Sequence, residues 1–364
     1  MPHLEDAHKQ WSTRPPEERY PNLETMKIDA LSDRDFSVEQ HYHNAQHISV
    51  QDHGDSLRLH NSKAEDGDGL DLNNWSFRQL CSLTSSPAAY LATLPTELAA
   101  NNLNYTLNAA ADDRDLMLLT KDKGLRAITS QKYSRLYDYE IIQRIEGLQE
   151  DGWTVPPAYP VTFEDDHGTI TTSEDSGLYR GDRSMFAFMV NEKNRIDDGS
   201  DGGLGRGFFV QNSEVGASSF RLTTFLYRYV CGNHIVWDAQ NITDIRMRHV
   251  GKDLDIRCFH MLGEDLVDYA NESASATEEK IRQAKECILG KSKKEVLDFL
   301  FGKRLLTRKA ANQAYDSCAV VEPDLNPTSV WGMVQGVTQI AQNEVHASDR
   351  VELESVSAKL MELV

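Results

Sequence analysis

The stretch from residue 206 to residue 230 constrains the fold more than any other part of this chain. It reads RGFFVQNSEVGASSFRLTTFLYRYV, so aromatic and β-branched residues lie on both sides of the polar triplet Asn212, Ser213 and Glu214. Over residues 220–230, apolar side chains occupy odd and even positions alike, which is typical of a strand buried on both faces. The sequence therefore predicts a central strand pair with the polar triplet at the tight turn between the strands.

The patterns around this strand pair predict an α+β fold. Residues 153–260 are mainly strand-like, and DLMLLTKDKGLRAITS predicts a hairpin in which Gly124 supplies the positive φ of the turn. Helical spacing and capping residues dominate after residue 260. We expect a mixed or antiparallel sheet core with flanking helices and a helical C-terminal third. The predicted regions are a polar, acidic N-terminal arm (1–70), a mixed α/β core (71–260) and a helical region packed on the core (261–364).

Composition limits the classes of function. The 38 basic and 57 acidic residues give a net charge of −19, which repels polyanions over a Debye length of about 10 Å at 0.1 M salt. We therefore do not expect indiscriminate coating of nucleic acid. The chain has no apolar run of membrane-spanning length, and its first residues lack the layout of a secretory signal. Five scattered cysteines favour free thiols, so we expect a cytoplasmic protein without a membrane partner.

The polar triplet admits two interpretations, because polar side chains inside an apolar run must find hydrogen-bond partners or face solvent. In one, the Asn and Ser side chains stitch a structural turn. In the other, the triplet is a ligand-binding ledge, on which Glu214 acts as an acid, base or cation contact. The glycine-rich loop 195–207 would then cover the pocket. The residues of this candidate ligand site are Arg206, which would bind an anion, Asn212, Ser213, Glu214 and Asn233.

Two further patterns contain metal-ligating or nucleophilic residue types. Cys231 and His234 lie three residues apart at a strand end, which suits a structural turn, a metal pair or a nucleophilic couple. The histidines 41, 43, 47 and 53 form the densest imidazole cluster, in polar surroundings that suit a solvated arm or, alternatively, a metal site. Gly202–Gly207 precedes a strand, whereas a dinucleotide fingerprint follows one. We expect no metal and no cofactor; the catalytic candidates are Glu214, Cys231 and His234.

Two basic segments, 121–135 and 291–309, interrupt the acidic chain. The second carries seven Lys and Arg residues against Glu295 and Asp298. Each segment is either a solvated face or a stripe that contacts phosphates, with Tyr133, Phe299 and Phe301 as stacking or packing aromatics. The candidate nucleic-acid contacts are Lys121, Lys123, Arg126, Lys291, Lys293, Lys294, Lys303, Arg304, Arg308 and Lys309.

Several longer blocks resemble a known family. These blocks are WSTRPPEERY, WSFRQLCSLTSSPAAYLATLPTELAANNLN, GLYRGDRSMFAFMV, RGFFVQNSEVGASSFRLTTFLYRYVCGNHIVW, RHVG and SVWGMVQGVTQIAQ. From about Trp11 to the end, the chain resembles the phage/plasmid-like proteins of domain of unknown function 932. NSEVG and CGNHIVW are the most specific blocks. The resemblance implies a cytoplasmic protein encoded on a mobile element, and it carries over no catalytic residue.

Three hypotheses of function follow from these patterns. The first is an accessory protein that binds nucleic acid, or a replication or recombination partner, through the basic segments. The second is a small-ligand binder or enzyme with a pocket around Arg206, Asn212 and Glu214, and the third is an inhibitor of a host defence protein. We expect a binding protein rather than an enzyme, with DNA, RNA, a phage protein or a host protein as partner. The C-terminal helices could pack on their own core or on that of a second copy, so the sequence does not decide between a monomer and a homo-oligomer.

Overall fold

The computed structural model describes residues 14–42, 47–61, 69–109, 115–156, 159–164, 170–199, 202–228, 244–321, 325–342, 353, 356–357 and 359–364. The strands are β1 (Ser37–Tyr42), β2 (Ile48–Asp52), β3 (Leu57–Asn61), β4 (Leu70–Leu72), β5 (Leu116–Lys121), β6 (Gly124–Ser130), β7 (Trp153–Thr154), β8 (Tyr159–Glu164), β9 (Ile170–Asp175), β10 (Leu178–Arg180), β11 (Met185–Ile196), β12 (Leu204–Asn212), β13 (Phe220–Arg228) and β14 (Asp244–Met247).

The helices complete the mixed architecture that the sequence predicts. They are α1 (Leu23–Phe36), α2 (Asn74–Leu83), α3 (Ala88–Leu91), α4 (Thr96–Ala109), α5 (Asp138–Gly147), α6 (Leu254–His260), α7 (Leu266–Asn271), α8 (Ser275–Glu286), α9 (Lys293–Gly302), α10 (Arg308–Val321) and α11 (Val330–Gln342). A π-helical turn, Met261–Asp265, joins α6 to α7. None of the helices in the described ranges is long and apolar enough to cross a bilayer.

The predicted strand pair lies in the middle of a sheet with the order β10-β11-β12-β13-β14, in which β7 also pairs with β11. We call it the second sheet. β12 and β13 are antiparallel neighbours, and every residue of 220–226 is buried. Because side chains alternate along a strand, Phe208 and Phe220 enter one core while Phe209 and Phe225 enter an aromatic cluster on the other face. The prediction of a strand pair buried on both faces is confirmed over these residues.

One face of the second sheet is covered by helices from both ends of the chain. α1, α5, α6 and α7 pack there around Met26, Ile141 and Trp153. α1 begins where the Asn22 side chain accepts a hydrogen bond from the Thr25 amide. Farther along the same face, Leu204 and Leu226 join the core of helices α8–α11. The second sheet is therefore the layer on which the helical C-terminal third rests.

The first sheet has the order β1-β5-β6-β4-β3-β2, antiparallel except for the β4–β6 pair. α2 and α4 cover one of its faces with Leu80, Leu103 and Leu107. The predicted β5–β6 hairpin is confirmed, but the prediction that Gly124 takes the positive φ is wrong. Gly124 is already paired with Lys121 in the ladder, so the turn consists of two residues and Asp122 adopts the left-handed conformation at φ 52.

The range predicted as an N-terminal arm contributes to both layers. Its described residues form α1, which packs on the second sheet, and β1, β2 and β3, which belong to the first sheet. Some acidic residues of this range therefore contact other parts of the fold: Asp29 and Asp33, on α1, pair with Arg180 of the second sheet.

A side chain from α4 pairs with the free backbone edge of strand β2. The amide of Asn104, on α4, accepts a hydrogen bond from the Val50 backbone N–H at 2.7 Å and donates one to the Val50 carbonyl at 2.7 Å. Asn104 thus supplies the donor and acceptor that a neighbouring strand would offer. Unpaired edge strands template aggregation, so this contact protects the first sheet as well as fixing α4 on it.

We expect Asn104→Ala to lower the free energy of unfolding by about 1–3 kcal/mol, because two backbone groups of Val50 lose their partners. Urea denaturation measures the change. Asn101→Ala, an exposed asparagine on the same helix, serves as the control and should change stability by less than about 0.5 kcal/mol. Equal stabilities of the two variants would contradict the assigned role of Asn104.

Candidate functional site

The predicted polar triplet at the turn between β12 and β13 is buried, whereas Gly216 is exposed. The Ser213 hydroxyl donates to the Arg183 carbonyl at 2.6 Å and accepts from the amides of Val215 and Ala217 at 3.3 and 2.9 Å. Gly216 follows in the left-handed region, at φ 81. Ser213 therefore stitches the turn, as the first interpretation of the triplet expects.

Glu214 lies at the junction of the two sheets, with 1% of its side chain exposed. One carboxylate oxygen is 2.7 Å from Nη2 of Arg126, which belongs to β6 of the first sheet. The other accepts the backbone N–H of Asp138 at 2.9 Å and is 3.9 Å from Nη2 of Arg180, on β10 of the second sheet. The Glu214 carbonyl also accepts from Arg135. The acidic group that the sequence singles out thus connects both layers.

Arg180 occupies the centre of this junction and binds carboxylates from two helices. Its Nη1 and Nη2 atoms lie 2.6 Å from Asp29 and 2.5 Å from Asp33, which are one turn apart on α1. Its Nε lies 3.2 Å from Asp138 at the start of α5. Arg126 is also 3.5 Å from Asp33. We call Asp33, Arg126, Asp138, Arg180 and Glu214 the junction cluster.

Burial and charge act in opposite directions on the carboxylates of the junction cluster. Burial, reinforced by the negative charge of Glu214, raises the pKa of Asp138 to about 7, although Arg180 and a hydrogen bond from Asn212 favour its charged form. For Asp33, burial would raise the pKa, but Arg180, Lys121 and Arg126 outweigh it and lower the value. Burial therefore disfavours the charged form of Asp138, and it also keeps the carboxyl from direct contact with a solute.

Arg206 is not part of this junction. Its guanidinium donates to the carbonyls of Asn194 and Glu272, each at 2.7 Å, and lies 5.8 Å from the ring centroid of Tyr269. Since Arg206 and Asn212 are six residues apart on β12, their Cα atoms are separated by about 20 Å along the strand. The structure brings Asn212, Ser213 and Glu214 together, and it places Arg206 at the other end of the strand.

The catalytic candidates Cys231 and His234 and the ligand-site candidate Asn233 lie outside the described residues, as does His43 of the histidine cluster. Within the described ranges, no group of three or more His, Cys, Asp or Glu side chains is placed to hold a metal ion. Of the described cysteines, Cys81, Cys258 and Cys318 are buried and free. Burial raises the pKa of Cys81 to about 11 and that of Cys258 to about 12, which makes both thiols poor nucleophiles.

The described residues also border an open groove of about 820 Å³ between α2 and the end of β6. Its lining includes Leu83, Ser130 and Lys132, and none of the predicted site residues. Gln79 lines the groove and also contacts the turn 212–216. However, both ends of the Gln79 amide are engaged, with the Val215 carbonyl at 2.8 Å and the Ile128 amide at 2.9 Å.

His249, which the sequence patterns do not single out, supports the turn between β12 and β13 through Tyr133. Its ring stacks on Tyr133 at 5.0 Å between centroids, and its Nδ1 is 3.2 Å from the Ser134 carbonyl. Tyr133 in turn donates to the Ser213 carbonyl at 2.7 Å. Burial, together with the nearby charge of Arg135, lowers the pKa of His249 to about 4. A lone histidine in the block RHVG gives no sequence signal for this contact.

A family profile described as domain of unknown function (DUF932) matches residues 154–358, which is more than half of the chain. The chain belongs to the DUF932 family. No curated protein and no solved structure matches it. The DUF932 region contains the turn 212–216, Arg180, Arg206 and helices α6–α11. Asp33, Arg126 and Asp138 precede residue 154, so the DUF932 region obtains part of its junction cluster from the preceding segment of the chain.

We expect Arg180→Met to lower the free energy of unfolding by about 3–5 kcal/mol, because it leaves the carboxylates of Asp138 and Glu214 buried with less compensation. Chemical denaturation at pH 7 measures the loss. The control is Arg282→Met, which removes a guanidinium paired with two carboxylates on the surface: 58% of the Arg282 side chain is exposed, against 2% for Arg180. Similar losses in both variants would mean that the junction cluster contributes no more than a surface ion pair.

We expect His249→Phe to reduce the acid sensitivity of the protein. Because the folded pKa of His249 lies below that of a free imidazole, the unfolded chain binds more protons between about pH 6.5 and 4, and stability falls as the pH falls. Between pH 7 and 4 the wild type should lose roughly 3 kcal/mol more than the variant, which keeps an aromatic ring against Tyr133. Denaturation at each pH tests this. His53→Phe, at an exposed histidine, should retain the wild-type dependence.

Proposed function

We propose that this DUF932 protein binds nucleic acid through a basic patch formed by Lys303, Arg304, Arg308 and Lys309. These four residues lie where α9 ends and α10 begins, and all four are exposed. Lys291 and Lys294, near the start of α9, are exposed as well. This concentration of accessible cations on a chain with a net charge of −19 is the observation that carries the proposal.

The basic patch has few internal partners. Arg308 lies 2.8 Å from Asp298, and across the described part of the chain no carboxylate pairs with Lys303, Arg304 or Lys309. The hairpin at 121–126 differs, because Lys121 is 2.6 Å from Asp33 and Arg126 belongs to the junction cluster. Lys293, on the second segment, is 2.6 Å from Asp316. The proposal therefore centres on the basic patch, with the exposed Lys123 as an additional candidate contact.

Arg304 occupies a backbone conformation that an arginine rarely adopts. Its φ is 57, and the following Leu305 amide bonds back to the Leu300 carbonyl at 3.0 Å, which closes the end of α9. Glycine is the preferred residue at such a left-handed helix terminus, and any other residue costs about 1–2 kcal/mol. A cation held in a strained position at the centre of an exposed basic patch supports a functional rather than a structural role for its side chain.

The start of α10 adds to the positive potential. The Thr307 hydroxyl accepts the Ala310 amide at 3.2 Å, so the first turn of this 14-residue helix begins at Arg308 and Lys309. The unpaired amides and the dipole of a helix N-terminus favour anions. Phosphate groups of a nucleic acid would therefore meet side-chain and backbone donors at the same place.

We also propose a cytoplasmic role as an accessory protein of phage or plasmid DNA metabolism. The blocks NSEVG and CGNHIVW, which resemble phage/plasmid-like proteins, support this assignment. The net charge opposes coating of long nucleic acids, which suits binding to a limited site. The small-ligand alternative has less support, because the side chains of Arg206, Asn212, Ser213 and Glu214 all bond within the protein.

Arg304→Gly tests the proposal, because it should move stability and binding in opposite directions. Relief of the left-handed strain, partly offset by the greater chain entropy of glycine, should raise the free energy of unfolding by about 1 kcal/mol. Loss of one phosphate contact should weaken binding to labelled DNA and RNA oligonucleotides and reduce the salt slope by about 0.7–0.9. Fluorescence anisotropy across about 50–200 mM salt measures both quantities.

The matched control is Ser85→Gly, at another exposed left-handed residue, with φ 55 and no charge. It should share the gain in stability and leave binding unchanged. If the wild type binds no oligonucleotide at the lowest salt concentration, the proposal of direct contact with nucleic acid is wrong. The alternative is then a protein partner, whose binding can be tested with the same Arg304→Gly variant.

A further inference from the structure

We infer that the basic patch selects single-stranded nucleic acid, because Phe301 offers a stacking surface for an unpaired base. This inference rests on the proposed function and adds the class of nucleic acid to it. Phe301 is in the last turn of α9 and is 50% exposed. The guanidinium carbon of Arg308 lies 4.9 Å from its ring centroid. An aromatic ring and a planar cation are thus layered at the edge of the basic patch.

The exposure of Phe301 follows from the geometry of α9. Val296 and Leu300, four residues apart on one face of the helix, are fully buried in the C-terminal core. Phe301 is the next residue, about 100° around the helix axis, so it points away from that core. The helix is therefore anchored without Phe301, and its ring is available for a contact outside the fold.

The charges around Phe301 determine what can cover it. An apolar protein surface that buried the ring would also remove water from Lys303, Arg304 and Lys309, which costs free energy unless each cation gains a partner. A nucleotide meets both requirements, because its base has a π-face and its phosphate carries negative charge. Aromatic and guanidinium planes are the surfaces on which proteins stack unpaired bases.

Strandedness follows from the same contact. In a duplex, each base is stacked on its neighbours, and its π-face is not accessible from the grooves. Phosphate contacts alone do not distinguish the two forms, since both present phosphates to Arg304 and Lys309. A single strand can use the ring and the cations together. We therefore expect tighter binding of single-stranded than of double-stranded nucleic acid at equal salt.

The experiment compares Phe301→Leu and Phe301→Trp with the wild type, using a single-stranded oligonucleotide of mixed sequence and the corresponding duplex. Phe301→Leu keeps an apolar side chain but removes the ring, so affinity for the single strand should fall at least about 5-fold. Its salt slope and its affinity for the duplex should stay unchanged, because no cation is lost. Phe301→Trp should restore single-strand affinity to the wild-type value or above.

Tyr105→Leu is the control, because it removes an aromatic ring that is 76% exposed and lies on α4, outside the basic patch. It should leave every affinity unchanged. Equal loss of single-strand and duplex affinity in Phe301→Leu, or no loss in either, would overturn the stacking inference while the proposed function stands. Binding of neither form by the wild type would overturn the proposed function itself.

Discussion

The contact between Glu214 and its two arginines is the interaction on which the arrangement of this protein depends. Arg126 comes from the first sheet and Arg180 from the second, and the carboxylate between them is almost completely withdrawn from water. A buried charge is tolerated only when its hydrogen-bonding geometry is nearly complete. The two sheets can therefore meet in few orientations, and the packing of Val215 against Leu119 and Ala127 confirms the one that is adopted.

The junction cluster stabilises one arrangement rather than contributing a large net free energy. The attraction between its charges has to offset the loss of their hydration, so apolar residues could stabilise the same interface equally well. The charges add specificity, because any arrangement of the sheets that separates a buried charge from its partner costs free energy. Asp29 and Asp33, one turn apart on α1, extend this selection to the helix that covers the second sheet. The cations of the basic patch differ from those of the junction cluster, because they are exposed and remain hydrated.

Local patterns were sufficient for the strands and for much of the helical C-terminal third. The two-sided apolar run at 220–226 and the hairpin at 116–130 leave little choice of structure, and the polar triplet marked the buried turn correctly. The partners of Glu214 could not be predicted, because Arg126, Asp138 and Arg180 are far from it in sequence and meet it only through the order of the strands. For the same reason, the sequence presents Arg126 only as a candidate nucleic-acid contact and gives no sign of its ion pair with Glu214. The hydrogen bonds from Arg206 to two backbone carbonyls could not be predicted either, because no sequence pattern marks such contacts.

The DUF932 match begins at residue 154, whereas Arg180 finds its carboxylates at positions 29, 33 and 138. The stretch recognised as a family is thus smaller than the unit that satisfies its own buried charges. In relatives with a different preceding segment, a buried arginine at this position would keep only Glu214, 3.9 Å away, as a counter-charge. Substitutions at Arg180 and at its acidic partners should consequently occur together during evolution, and a family boundary drawn from sequence similarity should not be taken as the boundary of a folding unit.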